Sequence, residues 1–190
     1  ELLQDHVDEA GRDHLDPLRS AAQDAVEITR TARDVTEVLL QSEAEPAPVN
    51  LKSVLEAEIE SARSNNENAV ITTAGPIPDL QVLADDLLES VFRNLLQNAI
   101  VHNDQELPEV TIATTETADS VAVEIRDNGP GIPDERKAEI FEEGNRGLDS
   151  EGTGLGLYLV ETLVDRYEGT VSVADNEPRG AVFRVELPTV

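Results

Sequence analysis

Apolar side chains recur in alternating steps of three and four residues between positions 14 and 42. The positions of this seam are Leu18, Ala21, Ala25, Ile28, Ala32, Val35 and Leu39. Such spacing predicts a helix whose heptad seam packs against other helices. Pro17 suits the first turn of this helix and Asp16 suits its N-cap. The pattern favours a dimeric bundle, and the alternative is a single amphipathic helix that packs on its own domain.

A second, incomplete helix is predicted before the heptad helix. Residues 1–9 have the pattern of a helix tail, which Gly11 interrupts, so the two helices would form a hairpin with a truncated first helix. A linker rich in Glu, Ala and Pro is predicted at 42–48. The chain is therefore expected to divide into a helical part at 1–45 and a second domain at 46–190.

After the linker, helical segments alternate with strands. Helices are predicted at 51–63, 85–102 and about 155–167, and a short strand is predicted at 69–73. Further strands are predicted from alternating apolar positions, which are Val110, Ile112, Val121, Val123, Ile125, Val171, Val173, Ala181, Phe183, Val185 and Leu187. Strand pairs with short connections, and enough helices to cover one face, predict an α+β domain built as a two-layer sandwich with a mixed sheet.

Charge narrows the classes of function. The 190 residues include 14 Lys and Arg against 40 Asp and Glu, which gives a formal net charge of −26. This balance excludes nucleic acid as a partner, because duplex binding depends on basic side chains that displace counterions from phosphates. Lysine occurs only at Lys52 and Lys137. An acidic, lysine-poor surface is typical of proteins from a salt-rich cytoplasm, so a halophilic origin is expected.

Several absences bear on the cellular context. Cysteine and Met do not occur in the chain, so it can form no disulfide and no thiolate site. A chain that starts at Glu1 without an initiator is expected to be a piece of a longer protein. No apolar run approaches the roughly 20 residues of a membrane span. We therefore expect a cytoplasmic fragment, and membrane attachment of the full protein stays open.

Chemistry-bearing residues occur first on the helix predicted at 85–102. Asn94 and Asn98 lie four residues apart on one stripe, and His102 follows one turn later. The stripe lies beside the apolar face, so the amides are expected to face a cleft. A carboxamide oxygen is a hard ligand that suits Mg²⁺. The alternative is that these residues are merely polar positions at the edge of an apolar face.

Two glycine-rich segments follow. The strand at 121–126 leads into Asp127, Gly129 and Gly131, where a carboxylate can accept a hydrogen bond from an amine and the backbone can approach a flat base closely. A plain turn is the alternative for this segment. Later, Gly152, Gly154 and Gly156 open a helix. Exposed N–H groups at a helix N-terminus bind anionic phosphate, although a glycine triplet alone is a weak signal.

In combination and in this order, these segments resemble the ATP-binding catalytic domain of sensor histidine kinases. That domain belongs to the gyrase, Hsp90, histidine kinase and MutL ATPase superfamily and has a Bergerat-type fold. NLLQNA resembles the family's N box, DNGPGIP its G1 box, IFEEGNRG its F box and GTGLGL its G2 box. The resemblance covers 46–190. The heptad helix resembles the second helix of the family's dimerisation and histidine phosphotransfer hairpin, which implies a homodimer.

The resemblance implies a role for each motif residue. Asn98 would bind Mg²⁺ with Asn94 assisting, Asp127 would hold the adenine amine in a pocket shaped by Gly129 and Gly131, and His102 would lie beside the nucleotide. Residues 134–153 would form the ATP lid. The remaining nucleotide contacts would come from Phe141 as the lid anchor, Arg146 on the phosphates, and the phosphate-binding segment Gly152, Thr153, Gly154, Leu155 and Gly156.

Some positions depart from the family pattern. Val101 stands where the family often has Lys or Arg, and Gly144 stands where a second aromatic is usual in the F box. At position 94, hydrolysing members of the superfamily carry a glutamate that activates water, whereas an amide is not a useful base. The chain is therefore expected to hold ATP for transfer of the γ-phosphoryl group to a histidine, and then to an aspartate in the receiver domain of a response regulator.

The phosphoacceptor histidine and two other functions stay open. His14 and His6 match the acceptor pattern poorly, so the acceptor is expected upstream of Glu1. One alternative function is a serine kinase of the anti-sigma type, which lacks the helical hairpin. The other is a catalytically degenerate module that serves only in nucleotide binding or dimerisation, which Val101 and the altered F box would favour.

Overall fold

The computed structural model describes residues 46–141 and 155–190, together with six positions between 25 and 38. The chain divides into two compact units, Glu1–Leu40 and Gln41–Val190. In the first unit the six described residues are all helical, as the periodicity predicted, and they are Ala25, Val26, Thr29, Arg33, Thr36 and Val38. Of the seam residues only Ala25 is described. The predicted hairpin, its dimerisation and the division at residue 45 stay predictions.

The second unit contains seven described strands and four described helices, and the long helices lie where the pattern predicted them. In chain order the elements are β1 (Ala47–Asn50), α1 (Leu51–Asn65), β2 (Val70–Thr73), β3 (Gln81–Ala84), α2 (Leu88–Val101), β4 (Glu109–Glu116), β5 (Ser120–Asp127), α3 (Asp134–Lys137), α4 (Gly156–Arg166), β6 (Thr170–Asp175) and β7 (Ala181–Pro188). Within this described part, no helix combines the length and hydrophobicity needed to cross a membrane.

Five strands form the main sheet in the order β2-β4-β5-β7-β6. The β2–β4 pair is parallel and the other three pairs are antiparallel, so the sheet is mixed, as predicted. Val121, Val123 and Ile125 on β5 are buried, while Glu124 and Arg126 on the opposite face pair with each other. Helices α2 and α4 pack on the buried face. The predicted two-layer α+β sandwich is confirmed.

A smaller sheet corrects the prediction for the linker. Ala47 and Pro48 do not belong to a linker, because they lie in β1, which pairs with the unpredicted strand β3. Proline lacks the N–H that a central strand needs, but β1 lies at an edge, where a missing donor is tolerated. The start of α2 was also predicted three residues too early. Asp85 precedes that helix and accepts a hydrogen bond from the Leu87 N–H at 2.9 Å.

A buried polar cluster joins the start of α2 to the end of α4. The Tyr167 side chain is almost completely buried, and its hydroxyl donates a hydrogen bond to Asp85 Oδ1. The second carboxylate oxygen of Asp85 lies 3.3 Å from an Arg166 guanidinium nitrogen. Burial and the neighbouring carboxylate raise the pKa of Tyr167 far above its usual value. The cluster therefore holds one end of the α2–α4 interface with the tyrosine in its neutral form.

Replacing Tyr167→Phe is expected to lower the free energy of unfolding at pH 8 by about 1–3 kcal/mol, because Asp85 loses a buried hydrogen-bond donor. The pH dependence has a definite sign. The unfolded tyrosine ionises near pH 10 while the folded one keeps its proton, so this contribution is complete below about pH 10 and is lost as the pH rises further. Urea titrations at pH 8 and pH 10.5 measure both effects.

Tyr158→Phe is the matched control, since Tyr158 is the other tyrosine of the chain and lies on the first turns of α4. It should leave the unfolding free energy within about 0.5 kcal/mol of the wild-type value. Equal losses in the two variants would contradict the role of the Tyr167–Asp85 hydrogen bond.

Candidate functional site

Asn94 and Gly156 lie against each other where α2 meets the start of α4. Asn94 is buried, and its Nδ2 donates to the Ser90 carbonyl oxygen at 2.7 Å. A Cβ atom added to Gly156 would lie 2.7 Å from Asn94 Oδ1, which is closer than real Cβ contacts allow. Glycine at 156 therefore lets the first turn of α4 approach α2, and the N-terminal N–H groups of α4 lie close to the predicted metal-binding helix.

Asn98 follows Asn94 by four residues on α2, and His102 caps the C-terminal end of that helix. Asn98 is half-buried, and the part of the chain that the structure describes offers its carboxamide no hydrogen-bond partner. The backbone N–H of His102 bonds to the Asn98 carbonyl oxygen at 3.2 Å. Loss of hydration around the ring lowers the pKa of His102, so its imidazole is neutral at pH 7. No described group therefore competes for the oxygen of the Asn98 carboxamide.

Asp127 is a nearly buried carboxylate at the end of β5. Its Oδ1 accepts hydrogen bonds from the Gly129 N–H at 2.8 Å and from the Ala181 N–H at 3.2 Å. Among described residues, no donor bonds to Oδ2. Burial raises the pKa of Asp127, and the two backbone N–H groups oppose that effect. One oxygen is therefore held by the fold, and the other can accept a hydrogen bond from an amine.

Three glycines pack closely around this carboxylate. A Cβ atom on Gly129 would lie 3.0 Å from Asp127 Oδ1, and Gly131 has a positive φ of 75° and backs onto the Gly180 carbonyl. Gly180 was not predicted to matter. A Cβ atom there would lie 1.9 Å from the Asp127 carbonyl oxygen, so no residue other than glycine fits at this position. The sequence around Gly180 gave no sign that its backbone would need a positive φ.

Asn103 and Asn128 also belong to the site, although the sequence pattern did not single them out. Asn103 Nδ2 donates to Asn128 Oδ1 at 2.8 Å, and the Glu109 N–H donates to the same oxygen at 2.9 Å. These bonds join the segment after α2 to the loop that contains Gly129. The only sequence signal was the position of each Asn next to a motif residue.

The start of the predicted lid is anchored to the sheet. Phe141 is buried and packs edge-to-face on Phe183, with ring centroids 6.4 Å apart. On α3, Lys137 Nζ lies 2.6 Å from Asp134 and 2.8 Å from Asp175 at the end of β6. Leu155 and Gly156 stand at the N-terminus of α4. The other predicted residues lie outside the described part of the chain, namely His6, His14, Gly144, Arg146, Gly152, Thr153 and Gly154.

Comparison with known proteins places this arrangement in a family. Residues 84–190 match the family model described as histidine kinase-, DNA gyrase B-, and HSP90-like ATPase. The sensor protein KdpD of Escherichia coli K12 is 30% identical over 180 residues, which cover 90% of this chain and 20% of KdpD. The sensor histidine kinase DpiB of the same organism is 29% identical over 143 residues, covering 72% of this chain and 26% of DpiB. The chain thus spans about a fifth to a quarter of these relatives.

Solved structures agree with the fold. The catalytic domain of the histidine kinase ThkA is 28% identical and superposes with a TM-score of 0.68, covering 76% of this chain and 96% of that domain. The mycobacterial sensor histidine kinase MprB is 25% identical at the same TM-score, with coverage of 76% and 97%. With the mixed sheet and the Asp127 site in place, the chain belongs to the family of histidine kinase-, DNA gyrase B- and HSP90-like ATPases and has its Bergerat-type nucleotide-binding fold.

Proposed function

We propose that this chain is the MgATP-binding part of a sensor histidine kinase. In this proposal the γ-phosphoryl group of ATP moves to a histidine and then to an aspartate in the receiver domain of a response regulator. The observation that carries the proposal is the geometry of Asp127, which has one oxygen bound by backbone N–H groups and one without a described donor. The names of the two relatives, a sensor protein and a sensor histidine kinase, support the choice within the family.

Asp127 would recognise adenine by accepting a hydrogen bond from its exocyclic amine. An ionised, nearly buried carboxylate is a strong acceptor because little water competes for it. Glycine at 129 and 131 would keep the backbone next to this carboxylate compact, since an added Cβ would lie 3.0 Å from Asp127 Oδ1 and 3.1 Å from the Gly180 carbonyl oxygen, respectively. His102, neutral and one helical turn beyond Asn98, can lie beside the nucleotide without repelling a cation.

The residues present suit Mg²⁺ held mainly by the nucleotide. Within the described residues there is no group of three His, Asp or Glu side chains that could hold a metal alone. The carboxamide oxygen of Asn98 accepts no hydrogen bond from a described residue. A single such oxygen suits Mg²⁺, which would take its other ligands from phosphates and water. When bound, Mg²⁺ would neutralise charge on the phosphates. Asn94 would assist through its oxygen, which faces Gly156, because its amide nitrogen bonds to the Ser90 carbonyl oxygen.

The surroundings of Asn94 favour transfer to a protein nucleophile over hydrolysis. Its amide nitrogen is occupied by the Ser90 carbonyl and its oxygen faces Gly156, so no base is present at this position to activate water. The chain would act by positioning. The N-terminus of α4, with Gly152, Thr153 and Gly154 before it and Arg146 in the lid, would orient the triphosphate toward a histidine.

The remaining parts of the proposal concern assembly and location. The heptad helix would form a homodimer, the receiver domain would be the second partner, and the kinase would act in the cytoplasm of a halophile. A catalytically degenerate module whose function lies in dimerisation through the heptad helix is the second candidate, and one observation favours it. Val101 is about half exposed where a family cation would contact phosphate. Calorimetry with MgATP distinguishes the two, since absent or millimolar binding in high salt would favour the degenerate module.

Asn98→Ala is expected to abolish the Mg²⁺-dependent part of ATP affinity, because it removes the proposed ligand oxygen. In calorimetry, wild-type affinity should fall at least tenfold when EDTA replaces Mg²⁺, and the variant should show the lower affinity in both conditions. Asn65→Ala, an exposed position at the end of α1, is the control and should behave as wild type. An Asn98→Ala variant that still responds to Mg²⁺ would remove Asn98 from the metal site.

Asp127→Asn is expected to lower ATP affinity by about ten- to a hundredfold, the size of one hydrogen bond to a charged group. Affinity for purine riboside triphosphate, which lacks the 6-amine, should change less than about twofold. The wild type should also lose ATP affinity on acidification, and at a higher pH than an exposed aspartate would cause, because burial raises the pKa of Asp127 and protonation removes the charge of the acceptor. A loss shared equally by both nucleotides would contradict amine recognition.

Incubation of this chain with γ-labelled ATP is expected to leave no acid-labile label on it, because neither His6 nor His14 is followed directly by the acidic residue of the acceptor pattern. Slow release of phosphate should accompany this result, since Asn94 provides no base. Acid-labile label that His14→Ala removes would place the acceptor at His14 and correct the prediction.

A further inference from the structure

The turn between β6 and β7, residues 176–180, packs against the proposed adenine-binding carboxylate. The Asn176 N–H donates to the Gly180 carbonyl oxygen at 2.9 Å, which closes the turn. The strand that follows begins with Ala181, whose N–H bonds to Asp127 Oδ1. This β6–β7 turn is distant in sequence from every motif that predicted the site, yet it lies in contact with the residue that carries the proposed function.

Asn176 makes the most direct contact between the turn and Asp127. Its Nδ2 donates to the Asp127 carbonyl oxygen at 2.7 Å, and the side chain is half-buried. That carbonyl belongs to the peptide plane that leads into Asn128 and then Gly129. The Gly129 N–H is in turn one of the two donors to Asp127 Oδ1. Rotation of this peptide plane would therefore pull a donor away from the carboxylate.

The backbone at Gly180 lies so close to the Asp127 carbonyl that it blocks such a rotation. The turn approaches so closely that a Cβ atom at 180 would lie 1.9 Å from the Asp127 carbonyl oxygen and 3.0 Å from Oδ1. Gly131 also approaches Gly180 closely, since a Cβ atom added to Gly131 would lie 3.1 Å from the Gly180 carbonyl oxygen. The backbone around Asp127 is thus bounded on one side by its own loop and on the other by the β6–β7 turn.

One ion pair joins the turn, and a second joins the end of β6 just before it, to neighbouring elements. Arg179 pairs with Asp104, which follows α2, and Asp175 pairs with Lys137 on α3. The Arg179 hydrogen bond holds the pKa of Asp104 below its usual range. Arg179 and Asp104 are about half exposed, so this pair contributes little stability in salt. Besides these pairs, the Asn176 hydrogen bond and the close glycine packing hold the turn against Asp127.

We propose that Asn176 is a positioning residue that sets the direction of the free Asp127 oxygen and so determines selectivity for a 6-amino purine. The proposal rests on the adenine site inferred above. Asn176 touches no nucleotide in this scheme. Its hydrogen bond to the Asp127 carbonyl oxygen fixes the peptide plane between Asp127 and Asn128, and so the position of Gly129. The Gly129 and Ala181 N–H groups then bond to Oδ1, which leaves Oδ2 in one orientation.

Two variants at position 176 test this proposal by separating selectivity from stability. Asn176→Asp keeps the size of the side chain and removes the donor, and Asn176→Ala removes the whole amide. Calorimetry of the full chain with ATP and with purine riboside triphosphate should show ATP affinity five- to tenfold lower in both variants. Affinity for the amine-free analogue should stay within about twofold. The ratio of the two affinities is the readout, because general destabilisation would lower both together.

Asn66→Ala is the matched control. Asn66 likewise uses Nδ2 to bond a backbone carbonyl, that of Ala62 at 2.9 Å, but it lies at the end of α1. This variant should leave the affinity ratio unchanged while circular dichroism reports any loss of stability.

Asp127→Asn separates failure of this proposal from failure of the adenine site. If Asp127→Asn lowers the ratio and both Asn176 variants leave it at the wild-type value, Asn176 has no positioning role. Equal losses of affinity for both nucleotides in the Asn176 variants also overturn that role. If Asp127→Asn itself leaves the ratio unchanged, the adenine assignment fails and this proposal fails with it.

Discussion

The rest of the site depends on how one buried carboxylate is hydrogen-bonded. Burying an acidic side chain is costly unless donors replace the water it loses. Asp127 Oδ1 finds two such donors, the Gly129 N–H from its own loop and the Ala181 N–H from the neighbouring strand. These donors come from segments more than 50 residues apart in the chain, so the carboxylate acquires its orientation only after β5 and β7 have paired.

Helix α2 provides the second constraint, because both ends of α4 are joined to it. Asp85, just before α2, bonds to Tyr167 at the C-terminal end of α4, and Asn94 in the middle of α2 lies against Gly156 at the start of α4. The first contact is a buried hydrogen bond, and the second is possible only because Gly156 has no side chain. Together they align the N-terminal N–H groups of α4 with the helix that carries Asn98. Phosphate and metal functions can therefore be proposed for neighbouring surfaces of two helices that are held in one arrangement.

The sheet also illustrates which parts of a fold follow from local pattern. Alternation of apolar and polar residues located β4, β5 and β7, because one buried face and one exposed face leave a period of two in the sequence. Strands β1 and β3 were missed because each has only four residues, too few for a clear alternation, and β1 also contains Pro48. Their pairing becomes favourable only when both segments lie side by side at the edge of the domain. Phe141 was predicted as the anchor of a lid, and its packing partner Phe183 could not have been named in advance.

The charge of −26, the strand leading into Asp127, the amide stripe of α2 and the glycines before α4 were determined by the sequence alone. Each is a local property, readable from residue type and spacing. Tertiary structure alone decided that Asn176 bonds to Asp127, that Gly180 must lack a side chain, and that Asn103 meets Asn128. Hydrogen bonds and close contacts of this kind join segments that are distant along the chain. No periodicity records them, because they exist only once the strands and loops have packed.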